Sequence, residues 1–507
     1  MSPKNARSGA SLAAVAVLCC TALAARAGEM DQLRPEVTVE QDYDSNIFLV
    51  DKDPQGSAVT IIRPALNFEN YGTLGHVRFS GFLSDHMYWS ESKLSGIDRG
   101  FGADLERRIL PLTTIFGTGS FQRLAAHSEI RGADIVTTTG GSAGVPGETV
   151  ISPGQLIEGA TPDVNLGQGN FGVRQDLTPR LQLQLAGGPF EIDYLQQSGA
   201  TTWRDRSGWY AGPTLTYMVS PLDQMTLDLQ ATGTDFSDTF SQNSFFVNDP
   251  SDPHSIFINT GKTKSDQQSL TLGWTRQWTE LLSTTIEVGG RRLHTRTLDA
   301  LRPLTRVAPT PSGLVSFVDF VPEDFSDTGP GIVGQFSISR TLPRGQVALT
   351  YSRETRTTSS LFASDVNVDT VSVGFVHRFT PRVTFVLRGY FEHYASVNNN
   401  AQFFPAQYQT GSFNPITGPE YSCAAGFLVT SGTGINKTGQ CRIDSRSTLT
   451  SDAWNAVARL DWQLYRRLTT FVVLRYGSRN GDEQLFGENY DKYVAGAGFR
   501  IDYALGF

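Results

Sequence analysis

Apolar and polar residues alternate with a period of two along most of the chain. Near the carboxyl end, one face carries Trp454, Ala456, Ala458, Leu460, Trp462 and Leu464, and the other carries Asn455, Arg459, Asp461 and Gln463. The same alternation recurs at 181–185, 225–229 and 383–388. Because successive side chains of a strand point to opposite faces, the pattern predicts strands with one apolar and one polar face.

The length of these segments favours a membrane barrel over a soluble sandwich. They run for roughly 12 to 18 residues, whereas strands of soluble proteins average about 5 or 6. Their polar faces are rich in Arg, Asp, Glu and Gln, as expected for a watery lumen. Short and long connections also alternate, which is typical of bacterial outer-membrane barrels.

The short connections form a loose repeat in which Ser or Thr often precedes Pro and Arg. They are Leu110-Pro111, Leu177-Thr178-Pro179-Arg180, Val219-Ser220-Pro221, Leu342-Pro343-Arg344 and Phe379-Thr380-Pro381-Arg382, with Asn70-Tyr71-Gly72, Trp278-Thr279-Glu280 and Tyr465-Arg466-Arg467 as variants without Pro. Proline presets a turn and is excluded from central strands, so these positions mark strand ends. The long connections are predicted near 125–165, 236–264, 298–326 and 396–449.

This alternation predicts an all-β fold, a closed transmembrane antiparallel β-barrel of about 18 strands. Eight short turns would lie in the periplasm and nine longer connections outside the cell. Both termini would then be periplasmic, and the protein would be located in the cell outer membrane.

The last strand carries the most specific evidence for this location. Alternate residues Phe499, Ile501, Tyr503, Leu505 and Phe507 are apolar, and the last is a terminal aromatic. This pattern resembles the signal that the barrel assembly machinery reads, so that machinery is an expected partner.

The first 27 residues predict a secretory signal peptide. Lys4 and Arg7 precede an apolar run over 11–25, and Ala25-Arg26-Ala27 is a small-x-small cleavage site. The predicted organisation is a signal peptide over 1–27, a short periplasmic segment over 28–35 and the barrel over 36–507. No later stretch approaches the roughly 20 apolar residues of a spanning helix.

Charge and cysteine content narrow the functional classes. The chain has 42 Lys and Arg against 50 Asp and Glu, and its net charge of −8 argues against nucleic-acid binding. Cys423 and Cys441 share a Gly/Ser/Thr-rich segment of an exported chain, which favours a disulfide over the alternative of two free thiols.

Catalytic motifs are weak, so the chain is predicted not to be an enzyme. Gly140-Gly141-Ser142-Ala143-Gly144 matches a Gly-x-Ser-x-Gly pattern, but it lies in a predicted loop, not at a strand–helix elbow. The histidines are scattered without metal-ligand spacing, and no cofactor or metal is expected.

The candidate functional residues are the charges on the polar strand faces, which would line a lumen. They are Glu40, Asp42, Arg63, Arg78, Asp104, Glu106, Arg174, Asp176, Asp228, Glu287, Arg291, Arg378, Arg388, Glu392, Arg459, Asp461, Arg475, Arg500 and Asp502. We expect Arg388 and Glu392 to neighbour Arg459 and Asp461. We also expect Arg475 to neighbour Arg500 and Asp502, and barrel closure to bring Glu40 and Asp42 into that sector.

The segment Glu40-Gln41-Asp42-Tyr43-Asp44-Ser45-Asn46-Ile47-Phe48, with the Phe-Thr-Pro-Arg turn, resembles the β-barrel porin family found with exopolysaccharide operons. The resemblance implies a passage for a secreted polysaccharide, with periplasmic export and inner-membrane co-polymerase proteins as partners. It carries over no catalytic residues.

The leading hypothesis is therefore a conduit for exopolysaccharide export. One alternative is a general or sugar-selective diffusion porin. Another is an adhesive or structural outer-membrane barrel with a blocked lumen. Operon context would separate export from uptake, and single-channel conductance would identify a blocked lumen.

Overall fold

The fold is taken from a computed structural model. It describes residues 31–48, 52–125, 163–195, 205–236, 262–310, 313–357, 365–396, 402–405, 407–414, 418–422, 427–431, 438–443, 450–481, 489–503 and 505–506. The signal peptide predicted over 1–27, Cys423 and Phe507 lie outside these residues. Within them, no helix is long and apolar enough to cross a membrane.

Antiparallel strands make up nearly all of the described structure. The first fifteen are β1 Asp31–Asp44, β2 Ser57–Gly72, β3 Gly75–Tyr88, β4 Gly96–Leu110, β5 Thr113–Leu124, β6 Val164–Thr178, β7 Leu181–Tyr194, β8 Arg206–Ser220, β9 Asp223–Phe236, β10 Lys262–Thr279, β11 Leu282–Thr310, β12 Gly313–Leu342, β13 Gly345–Thr357, β14 Asp365–Thr380 and β15 Val383–Ser396. Short strands follow as β16 Gln402–Pro405, β17 Gln407–Asn414, β18 Gly418–Ser422, β19 Phe427–Ser431 and β20 Thr438–Ile443. The last are β21 Thr450–Tyr465, β22 Leu468–Gly481, β23 Tyr490–Asp502 and β24 Leu505–Gly506.

Eighteen of these strands, β1–β15 and β21–β23, close into a barrel. Each pairs with the next along the ring, and β15 pairs with β21 across the short strands, with Phe391 opposite Trp454. The ring closes between the first and last barrel strands, where Val39 lies opposite Phe499. The predicted fold class and strand number are confirmed.

Eight two-residue turns join the strands at one end. At the other end eight longer connections join them, and β11 and β12 form a hairpin. The hydroxyl before the turn fixes its backbone. The Ser220 Oγ accepts hydrogen bonds from the Leu222 and Asp223 N–H groups at 3.1 and 3.0 Å. Thr380 Oγ1 accepts equivalent bonds from Arg382 and Val383 at 3.2 and 3.1 Å. This bonding explains why Ser or Thr recurs before Pro at the strand ends.

The two faces of the wall differ as the alternation predicts. Side chains such as Leu185, Leu227, Leu272, Val288 and Trp454 project outward and are about half exposed. Together they form an apolar belt around the barrel, which is the surface that hydrocarbon covers. Directly paired residues share a face, so the pairing carries the inward or outward assignment from strand to strand.

Three boundaries differ from those predicted. β1 begins at Asp31, inside the segment 28–35 that was assigned to the periplasm. The region 298–326 continues the paired strands β11 and β12 and is therefore a hairpin, because its backbone stays in register from Ala300↔Glu323 to Thr310↔Gly313. The region 396–449 contains β16–β20, and β20 pairs with β11 at Gly439↔Thr305.

The predicted assembly signal lies on the closing strand. Phe499, Ile501 and Tyr503 are among the exposed apolar residues, and Leu505 lies opposite Leu33 of β1. Recognition of this strand by the assembly machinery stays a prediction.

Candidate functional site: the barrel lumen

All of the charged residues predicted to line the lumen face the barrel interior. The assignment follows from the pairing, which starts at the buried Glu40 and Asp42 of β1 and returns to them after one complete turn of the ring. In between it passes through Arg63, Arg78, Asp104, Glu106, Arg174, Asp228, Glu287, Arg291, Arg388, Glu392, Arg459, Asp461, Arg475, Arg500 and Asp502. That they form a substrate path stays a prediction.

A buried ion cluster lies where the barrel closes. Arg475 of β22 contacts Glu40 Oε1 at 2.8 Å and Asp42 Oδ2 at 3.2 Å, although β23 runs between β22 and β1. Gly496 of β23 lies opposite Asp42 and points inward. A Cβ at Gly496 would overlap the Asp42 carboxylate, so the missing side chain leaves the space in which the cluster forms.

The next residues of β1 extend this cluster toward the cell exterior. Asp44 pairs with Lys492 of β23 at 2.8 Å, and both side chains are almost fully buried. The Asp44 carboxylate also accepts the Asn46 backbone N–H, and the Asn46 amide donates to the Asp491 carbonyl. The Glu40–Phe48 segment therefore supplies three carboxylates that join the first strand to the last two.

From the middle of the wall into the periplasmic half, inward arginines lie over inward aromatic rings. The Arg63 guanidinium is 4.6 Å from the Phe82 ring centroid, and Arg459 is 4.1 Å from that of Phe471. Arg459 also donates to Asp461 at 2.9 Å. These contacts hold the guanidinium groups close to the wall.

Further charges in this half are paired across strands. Arg174 lies 3.6 Å from Glu106 and 5.5 Å from the Phe116 ring, while Asp104 contacts His76 at 2.5 Å. Arg78 donates to the Tyr71 hydroxyl at 2.8 Å. Their positions on neighbouring strands create local pairs within a polar wall.

Two of the predicted neighbourhoods are wrong. Glu392 lies opposite Ala453, several residues from Arg459, and accepts a hydrogen bond from Tyr394 at 2.6 Å. Arg475 lies opposite Val494 and Val457, while Arg500 lies opposite Thr469 near the periplasmic end. The stagger between strands separates these side chains, and alternation alone does not reveal stagger. Arg388 does lie near Arg459, whose partner is Val386.

A neutral polar sector was missed because the sequence search considered charges alone. On β7–β13 the inward positions are mostly Gln, Thr and Ser, including Gln182, Gln184, Thr214, Thr216, Gln224, Thr226, Gln230, Thr232, Gln267, Ser269, Thr271, Thr275, Thr285, Gln335, Ser337, Thr350 and Ser352. Asp228 and Glu287 are the charged residues in its periplasmic half, each five residues above the start of its strand. The runs of Gln and Thr at alternate positions were the signal that could have identified this sector.

The two halves of the lumen differ in solvent exposure. The side chains of Arg174, Glu106 and Arg459 keep 21%, 35% and 26% of their surface exposed. In the extracellular half, inward residues are buried on strands all around the ring, among them Val59, His86, Asp98, Leu166, Arg206, Leu293, Val368, Glu392 and Arg479. A side chain on the wall of an open, wide pore would contact water. Other protein atoms therefore cover much of the inward wall in the extracellular half.

Within the described residues, no group of three or more His, Cys, Asp or Glu side chains could hold a metal ion. The expectation of no cofactor stays a prediction. The Cys423–Cys441 disulfide also stays a prediction, since Cys423 lies outside the described part of the chain.

Comparison with known proteins gives likeness only at the level of fold. The sequence matches no protein-family model and no curated protein. Among solved structures, it resembles the copper transporter OprC at 10% identity and a TM-score of 0.38, covering 90% of this chain and 64% of that one. It resembles the ferric-catecholate import receptor Fiu from E. coli K12 at 9% identity and 0.38, covering 94% and 82%. It also resembles the ferric enterobactin receptor PfeA of Pseudomonas aeruginosa at 9% identity and 0.41, covering 94% and 81%.

These findings correct the leading functional hypothesis. The three solved structures are named as a copper transporter, a ferric-catecholate import receptor and a ferric enterobactin receptor, and nothing found links the chain to exopolysaccharide export. The export hypothesis is wrong, and the polysaccharide and co-polymerase partners expected with it have no support. The outward apolar belt shows contact with membrane lipid. The chain is an outer-membrane protein built as a closed antiparallel barrel of eighteen strands.

Proposed function

We propose that this protein is an outer-membrane transport barrel that carries small, hydroxyl-bearing hydrophilic solutes through its lumen. The observation behind the proposal is the neutral polar sector of β7–β13. Its inward hydroxyl and amide groups can exchange hydrogen bonds with water or with an uncharged solute. Carrying a solute along such a wall replaces hydrogen bonds to water with comparable ones to protein, which keeps the energetic barrier low.

The charged wall complements this sector. Asp228 and Glu287 lie on β9 and β11, whereas Arg388 and Arg459 lie on β15 and β21 at similar heights above the periplasmic turns. Separated charges of opposite sign produce a field across the lumen. Such a field orients dipolar solutes and disfavours the passage of apolar ones, because they cannot replace the ordered water.

We also propose that the extracellular half sets a size limit. Because inward residues there are buried around the ring, a solute meets a passage smaller than the strand number alone would give. Small solutes should therefore pass more readily than large ones of the same chemistry.

Proteoliposome swelling tests this proposal. Vesicles containing the purified full-length protein should swell in solutions of small uncharged polyols, at rates that fall as solute size increases. The variant Thr226→Val/Thr271→Val/Thr285→Val removes three half-buried lumen hydroxyls with little change of shape and should slow swelling several-fold. Thr470→Val serves as the control, because Thr470 lies opposite Trp462 on the outward face.

Single-channel recording in planar bilayers gives the complementary result. Discrete conductance steps are expected from a folded barrel. A folded protein that gives neither conductance nor swelling would contradict the proposal and favour the alternative of an adhesive or structural barrel with a blocked lumen.

A further inference from the structure

The arginines at the periplasmic end are distributed unevenly around the barrel. Three successive two-residue turns, β12–β13, β14–β15 and β21–β22, carry or adjoin five exposed arginines: Arg340, Arg344, Arg382, Arg466 and Arg467. Neither these turns nor the four residues on each side of them contain Asp or Glu. We call these five residues the arginine arc. In a chain with net charge −8, the arc is a local concentration of positive charge.

The same position of the turn is leucine in four of the five turns on the other side of the ring. In every turn, the backbone carbonyl of the second residue accepts an N–H from the next strand pair, or from β23 for the last turn. This position is Arg344, Arg382 and Arg467 in the arc. In the remaining turns it is Leu74, Leu112, Arg180, Leu222 and Leu281. The four leucines are about half exposed at an apolar membrane border, whereas the arc exposes guanidinium groups at structurally equivalent sites.

Contacts hold two of these guanidinium groups beside outward aromatic residues. The Arg467 guanidinium lies 3.7 Å from the centroid of the Tyr503 ring, and Arg344 donates to the Phe379 carbonyl at 3.2 Å. Phe379 and Tyr503 are both strongly exposed, and Arg340 faces outward because it pairs with Leu282. Aromatic side chains in this position mark the level of the lipid headgroups. The arc therefore lies at headgroup level on the periplasmic side.

We propose that the arginine arc binds the phosphate groups of anionic phospholipids in the periplasmic leaflet of the outer membrane. A guanidinium group forms paired hydrogen bonds with phosphate oxygens and remains charged at any physiological pH. The backbone bonds at Arg344, Arg382 and Arg467 fix where each side chain starts, so the three turns present a preorganised row of phosphate sites. Because the leucine turns lack this charge, bound anionic lipid is concentrated on one side of the barrel.

Lipid enrichment around the full-length protein tests the proposal. The protein is placed in nanodiscs of phosphatidylethanolamine containing a minor fraction of phosphatidylglycerol, and the lipids that remain bound after detergent extraction are counted by native mass spectrometry. The wild type should retain phosphatidylglycerol in excess of its fraction in the disc. R344L/R382L/R467L, which copies the leucine turns, should weaken retention by about fivefold for each arginine lost.

Three further variants separate charge at this site from charge in general. R107Q/R108Q/R180Q removes three exposed arginines elsewhere on the periplasmic end and should leave the enrichment unchanged. R344K/R382K/R467K keeps the charge and should retain most of the enrichment. R344Q/R382Q/R467Q removes the charge without adding apolar surface, and it carries the test if the leucine variant does not fold. The proposal is overturned by absence of enrichment in the wild type, by equal losses in the arc variants and in R107Q/R108Q/R180Q, or by preserved enrichment in a folded arc variant that lacks the charge.

Discussion

Arg475 and Glu40 form an ion pair of 2.8 Å across an intervening strand, which joins β22 directly to the first strand of the barrel. The Arg475 side chain is 3% exposed and that of Glu40 11%. Asp42, with no exposed side-chain surface, shares the same guanidinium. Barrel closure thus depends on buried electrostatics as well as on backbone hydrogen bonds.

Removing the cation should destabilise the barrel strongly. Arg475→Ala would leave Glu40 and Asp42 buried without their shared partner, and breaking a buried pair in this way costs about 3–5 kcal/mol. Urea unfolding in micelles would measure the loss. The triple variant Arg475→Met/Glu40→Gln/Asp42→Asn should recover part of the stability. A single variant as stable as the wild type would contradict the importance assigned to this cluster.

A methyl group at position 496 should have a similar effect for a steric reason. The Cβ of Gly496→Ala would overlap the Asp42 carboxylate and displace it from Arg475. We expect a lower temperature at which the folded band is lost in heat-modifiability gels. Gly374→Ala is the matched control, since Gly374 also faces inward on its strand and a Cβ there would meet no atom within 4 Å. Equal shifts for the two variants would rule out the steric explanation.

Lumen arginines should set the ion selectivity of the open channel. Arg388→Ala/Arg459→Ala removes two inward cations, so the reversal potential in a salt gradient should move toward cation preference. Arg353→Ala is the control, because Arg353 pairs with the outward Asp369. Unchanged selectivity in the double variant would mean that the conducting path does not pass these residues.

The outward face of β23 should be required for assembly. Replacing Phe499 and Ile501 with Ser should reduce the amount of folded protein in the outer membrane of growing cells. The matched change Val472→Ser/Leu474→Ser on the neighbouring β22 alters outward residues of similar exposure. Equal losses from both pairs would indicate general destabilisation of the barrel and no special recognition of its last strand.

Hairpin 298–326 shows where the prediction of strands from the sequence was wrong. The region was predicted to be a loop because it is rich in Pro, Ser and Asp, yet β11 and β12 stay paired through it. Pairing between two chain segments satisfies their backbone groups whatever their composition suggests locally. Composition alone therefore underestimated the lengths of β11 and β12, which continue beyond the membrane.

The sequence by itself determined the strands, the turns and the face on which each charged residue lies. These features follow from a period of two residues, and that period is a local property of an extended chain. The inward assignment of Arg459 and the outward assignment of Trp462 needed nothing more. Tertiary structure alone decided which inward residues meet, because contacts between side chains of different strands depend on the strand stagger that barrel closure sets. Arg475 therefore pairs with Glu40 across Gly496, although these residues are separated by most of the chain and no local pattern connects them.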